Sequence, residues 1–162
     1  MPLPQVRKVI ALQIVTKGQP TAVAYFARRQ GGMPIADPER KRQPWGGFWH
    51  TSGQPVIEPV TLSRPVENDA LTAILGYAQR LQVYGLGPLR VVEREIWPDG
   101  EAAHVWDSAV LIGYGPEESD IGKDEVAWER VVVQPHEYAR RIRQANGEWI
   151  TTYQAPLTPW AP

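Results

Sequence analysis

The stretch Trp45-Gly46-Gly47-Phe48-Trp49-His50-Thr51-Ser52-Gly53 leads through Val56-Ile57-Glu58-Pro59 toward Asp69, where a new pattern begins. From there Leu71, Ile74, Leu75, Ala78 and Leu81 recur at three- and four-residue spacings, which predicts one apolar helix face over 69–84. Asn68 or Asp69 can cap its start, and Gly85 can end it. The last turns read Ala78-Gln79-Arg80-Leu81-Gln82-Val83-Tyr84, and no Asp or Glu occurs between Asp69 and Glu93.

Outward from this segment the chain alternates between β-type runs and turns. Val6 to Thr16 and Thr21 to Arg28, joined by Lys17-Gly18-Gln19-Pro20, predict a hairpin. Gln30 to Pro44 holds glycines, prolines and the charged run Glu39-Arg40-Lys41-Arg42 without an apolar period, and reads as a loop. Pro88 to Trp97 and His104 to Tyr114 flank the turn Pro98-Asp99-Gly100 and predict a second hairpin. Val126 to Val133 follows as a strand. Pro135 to Ala145 reads as a helix, with Glu137 in its first turn and Arg140, Arg141 and Arg143 toward its end, as the helix dipole prefers.

Composition bounds what this pattern can be. One domain of 162 residues with 43% hydrophobic and 22% charged residues has room for one ordinary core. Seventeen basic and eighteen acidic side chains leave a net charge of -1, so no global field attracts nucleic acid or an anionic membrane. The absence of cysteine excludes disulfides and thiol nucleophiles. The apolar stretch near Val9-Ile10-Ala11-Leu12 is too short to span a bilayer and lacks a cleavage pattern, so a cytoplasmic location is expected. Residues 1–147 are expected to form the domain, and 148–162, with Trp149, Trp160 and three prolines, an extended tail packed over it or over a second subunit.

The order β, β, loop, α, β, β, β, α resembles that of the Nudix superfamily. Phe26-Ala27-Arg28-Arg29 resembles the end of that family's early strand, Trp45-Gly46-Gly47-Phe48-Trp49 its approach to the metal box, and Asp124-Glu125-Val126-Ala127-Trp128 its late strand. The resemblance implies an α+β fold, an α/β/α sandwich around a mixed β-sheet. It also implies a helix whose glutamates hold magnesium against a diphosphate, yet Gln79, Gln82 and Val83 stand where three glutamates belong. A neutral amide gives up the charge that holds a divalent ion.

Two function classes follow from the resemblance. The first is a non-hydrolytic module that binds a nucleotide derivative in the old cleft or serves in assembly, without a cofactor. Arg28, Arg29, Trp49, His50, Gln79, Gln82 and Trp106 are its candidate ligand-binding residues, the arginines for phosphate and the aromatics for stacking. The alternative is a divergent hydrolase of a nucleoside diphosphate linked to another group, with magnesium held by relocated acids from Glu58, Glu67 and Glu125. A third reading, a structural dimerisation domain, applies if the cleft is filled by its own tryptophans. The family's habit of dimerising makes a homodimer an expectation; no nucleic-acid or membrane partner is indicated.

Overall fold

The computed structural model describes residues 6–42, 48–66, 71–85, 87–117 and 127–156. Strands β1 (Arg7–Thr16) and β2 (Gln19–Phe26) form the expected first hairpin. Its two turn residues, Lys17 and Gly18, both have positive φ (53° and 79°), the type I′ geometry whose twist matches the flanking strands. After the single residue Ala27 come β3 (Arg28–Gly31), β4 (Pro34–Arg42), β5 (Phe48–Ile57) and β6 (Val60–Pro65). The helix α1 (Leu71–Gln82) precedes β7 (Leu89–Trp97), β8 (Gly100–Pro116), β9 (Trp128–Gln134), β10 (Glu137–Arg143) and β11 (Trp149–Ala155).

The main sheet runs β2-β1-β7-β8-β9-β6-β3, with β10 and β11 branching from β8, and every pairing is antiparallel. The two ends of this order are one stretch of chain. β2 passes into β3 across Ala27, whose N–H donates to the Ser63 carbonyl at 3.0 Å, so the sheet wraps back on itself as a barrel.

β8 makes the opposite corner. Its first half lies between β7 and β10, and its second half, from Val110, pairs with β9. The bend falls at Ser108, whose φ is 50°, and a register shift between Leu111 and Gly113 marks a bulge just beyond. One 17-residue strand thereby serves a first sheet, β2-β1-β7-β8-β10-β11, and a second, β8-β9-β6-β3.

Alternation supplies the core. Leu12, Val60, Leu62, Leu89, Val91, Val131 and Val133 are fully buried, each contributing about 1.5–3 kcal/mol of apolar burial. α1 closes this interior by presenting Leu71, Ile74, Leu75 and Ala78, as its periodicity predicts.

The expected α/β/α sandwich with a mixed sheet is overturned by this antiparallel, strand-dominated architecture, in which α1 is the only helix among the described residues. The main departure is 135–145, expected as a helix and found as β10. Tyr138, buried, and Ile142, half-buried, are four residues apart, a spacing that fits one face of a strand as well as one face of a helix. Pairing to β8 on one side and β11 on the other decides for the strand, over the helix propensity of its Ala and Arg residues. The expected loop 30–44 contains the end of β3 and all of β4, which are held by backbone pairing without an apolar period. The segment 148–162 contributes β11, an edge strand of the first sheet.

Candidate interaction surfaces

Two of the candidate binding residues meet at one mouth of the barrel. Arg29, on β3, donates through Nε to Glu93 on β7 and through a terminal nitrogen to the Gly31 carbonyl at 2.6 Å. Its guanidinium also lies 4.8 Å from the Trp106 ring centroid. Trp106 is 2% exposed and donates its indole N–H to the Gly32 carbonyl at 2.8 Å. Gly32 has φ +86°, and a Cβ there would sit 2.6 Å from Trp106 Nε1, so only glycine lets the chain turn this close to the indole.

His104 and Tyr138 extend the cluster. Their Nδ1 and hydroxyl oxygen are 2.6 Å apart, and the His104, Trp106 and Tyr138 rings pack in a triangle with centroids 5.4–6.0 Å apart. Burial pushes the His104 pKa below its usual 6.5, against the pull of Glu93 and Glu95, and burial pushes the Tyr138 phenol above 10.0. Both shifts favour the neutral forms, so the Nδ1–hydroxyl contact joins two uncharged groups. Arg29, Glu93, Trp106, His104 and Tyr138 form a closed internal network that ties β3, β7, β8 and β10 together. Sequence reasoning missed Glu93, His104 and Tyr138 as members. The signal was there in β7, where Glu93 continues the inward alternation Leu89, Val91 and is 5% exposed.

The other candidates lie elsewhere. Arg28 covers the Trp128 ring at 4.2 Å. Gln82 sits at the far side of the Ser108 bend, where its amide donates to the Leu111 carbonyl at 3.1 Å and accepts from the Leu111 N–H at 2.7 Å, completing the ladder beside the bulge as a neighbouring strand would. Gln79 lines a shallow groove between α1 and β8 together with Leu75, Leu111 and Tyr114. Glu58 stands at the β5–β6 junction, its N–H donating to the Met33 carbonyl at 3.1 Å. Trp49 and His50 fall on β5, in register with Lys41 and Arg40. Glu67 and Glu125 lie outside the described residues, among which no cluster of three acids or histidines is placed to hold a metal ion.

The hairpin β4–β5 forms a second, two-stranded sheet. Its strands pair with each other from Pro34↔Ile57 to Arg42↔Phe48, and with no other strand among the described residues. Strands of nine and ten residues span roughly 30 Å at about 3.3 Å per residue. Ile57, 4% exposed, anchors the base in the core, while Val56, beside it, is 67% exposed. An isolated two-stranded ribbon is marginal in water, because one face has nothing to cover it.

No family model matches the chain, and no curated protein matches it. Solved structures do. A chain in the cryo-EM structure of an extracellular contractile injection system, the PVC sheath/tube terminator in the extended state, aligns with a TM-score of 0.64 and 12% identity, covering 86% of this chain and 96% of its own length. A chain of the six-fold symmetrised anti-feeding prophage (AFP) baseplate aligns at 0.61 and 13% identity, covering 90% and 97%. A chain in the AFP tube-terminating cap structure aligns at 0.61 and 16% identity, covering 83% and 87%. These alignments overturn the Nudix resemblance, and with it the hydrolase, nucleotide-binding and small-molecule-partner expectations derived from it. The barrel is similar in fold to proteins found in injection-system tubes and baseplates.

Proposed function

We propose that this protein is a structural subunit of a contractile-injection-type tube or baseplate, and that it works by assembling with other protein subunits. The observation that carries this reading is the β4–β5 hairpin, a long two-stranded sheet whose base residue Ile57 sits in the core of a barrel similar in fold to injection-system subunits. Its strands pair with each other along most of their length and with no other strand among the described residues, which is the condition of an element that finishes its burial against a neighbour. The mouth cluster suits such a role. Its ion pair and aromatic stack are spent inside the fold, where they brace four strands against one another.

The test compares the full chain with a variant in which Ile35 joins Val56 through an Asn-Gly turn, a cut made at a register pair. Sedimentation velocity and negative-stain microscopy should find oligomers of the full chain and monomers of the shortened one, with matching circular dichroism. A full chain that stays monomeric at every concentration, or a shortened chain that assembles equally well, would overturn the proposal.

A further inference from the structure

The outer face of the first sheet carries a feature that neither the core nor the hairpin uses. Along β8 the residues Ala103, Val105 and Asp107 point away from the Trp106 cluster, and with β1, β7, β10 and β11 they line an open trough of about 460 Å³. Its floor is Val92, Ala103, Val105 and Ala139, side chains too short to fill the space between the flanking strands. Arg90, Arg94 and Arg141 line its rim; Asp107 pairs with Arg90 and the buried Glu101 with Arg94, which leaves Arg141 without a carboxylate among the described residues.

The arginines are held in position. Arg90 donates to Asp107 Oδ2 at 2.9 Å, yet its Nε is buried without a hydrogen-bond partner. Arg94 is fixed by the buried Glu101, which Arg143 also approaches at 3.8 Å. Arg141, exposed, lies 5.7 Å from the Trp149 ring centroid, an arrangement that orients a guanidinium and leaves its in-plane N–H groups for an acceptor.

We infer that this trough is a docking site for an acidic, extended peptide segment of a partner protein, with small side chains seated on the alanine and valine floor and carboxylates meeting Arg94 and Arg141. Charge complementarity selects the occupant. Asp107 and the neighbouring Glu137, paired in register on β8 and β10, put carboxylates at one end of the face, which disfavours a continuous polyanion such as nucleic acid. A peptide can match the graded face residue by residue. The site lies on the barrel and stands whether or not the hairpin drives assembly.

The probe is a short acetylated peptide of alternating Glu and Ala, titrated into the full chain by calorimetry and followed through backbone amide NMR shifts; its Lys-Ala counterpart is the control. Saturable equimolar binding that weakens with salt and shifts Ala103 and Ala139 is expected. Ala139→Trp, which fills the floor without changing charge, should abolish it. Arg141→Glu, at an exposed position that does not threaten folding, should weaken it on the order of tenfold or more. Absence of binding to the wild-type chain, equal binding of the Lys-Ala peptide, or shifts confined to other faces would overturn the assignment. So would concentration-dependent self-association that Ala139→Trp removes, since the face would then be an interface between copies.

Discussion

β1 and β4 are strands of nearly equal length in antiparallel ladders, and they live in different physical worlds. β1 has β2 on one side and β7 on the other, and it sends Ile10, Leu12 and Ile14 into the core. β4 has β5 alone. Backbone pairing suffices to give both the same local geometry. β1 also has burial, and hydrophobic contact of that kind offsets the conformational entropy of ordering each residue. The contrast to test is between a strand held on both sides and a pair of strands held by each other.

The sharpest test of that contrast is inside the barrel, at a charge. Arg64 is 2% exposed, and its Nε donates to Glu129 Oε1 at 2.7 Å, while the Tyr114 hydroxyl donates to Oε2 at 2.8 Å. Glu129→Leu removes the carboxylate that both donors use, and should cost about 3–5 kcal/mol in urea unfolding. The surface pair Lys8–Glu95, at 3.8 Å with Lys8 60% exposed, supplies the control, and Lys8→Ala should cost no more than about 1 kcal/mol. Equal effects would mean that the barrel interior is far wetter than its burial implies.

Next in size is the apolar comparison. Leu89→Ala, at a fully buried site where β7 meets β1 and β8, should cost about 2–5 kcal/mol. Val56→Ala, on the exposed base of the hairpin, should fall within about 0.5 kcal/mol for the unassembled chain. The Asn-Gly shortened hairpin extends the same logic. Losing the arm should leave the barrel's unfolding free energy within about 1 kcal/mol of the parent, because the arm opens independently of the core. A large loss would show that the hairpin packs on its own barrel.

The same contrast explains what could be read from the sequence. β1, β2, β7, β8 and α1 were legible because each buries one face and writes its period into the chain: Leu89, Val91 and Glu93 at intervals of two, Leu71, Ile74, Leu75 and Ala78 at three and four. β4 and β5 wrote no period that the sequence could show, and their pairing is with each other, so 30–44 read as a loop. β10 failed for another reason. Its inward residues Tyr138 and Ile142 satisfy both periods, and the deciding interactions come from β8 and β11, far away in sequence. Of the candidate residues, Arg29 and Trp106 do meet, but Glu93, His104 and Tyr138 complete their cluster, and pairing across strands set that company. A family frame matched on element order could not register the antiparallel direction of the strands, which is what separates this barrel from a mixed sheet.

The smallest effect expected is a dependence on pH, and it probes the barrel side at its mouth. Because burial holds the folded His104 pKa below 6.5, the unfolded chain binds the proton more readily between 6.5 and the folded value. The stability contributed by neutral His104 is therefore complete above about 6.5 and is lost as pH falls below it. Glu93 and Glu95 on β7 favour the imidazolium, Arg29 on β3 and Arg140 on β10 oppose it, and burial outweighs them all. Tyr138 acts at the other extreme, where its raised pKa makes stability fall as pH climbs above about 10. His104→Phe keeps a ring against Trp106 and Tyr138 but cannot titrate, so it should be less stable than the parent near pH 7.5 and lose less on acidification to about pH 5.5. Parallel pH profiles for the two chains would mean that the mouth cluster is open to water, and that the barrel end resembles the hairpin more closely than its buried network implies.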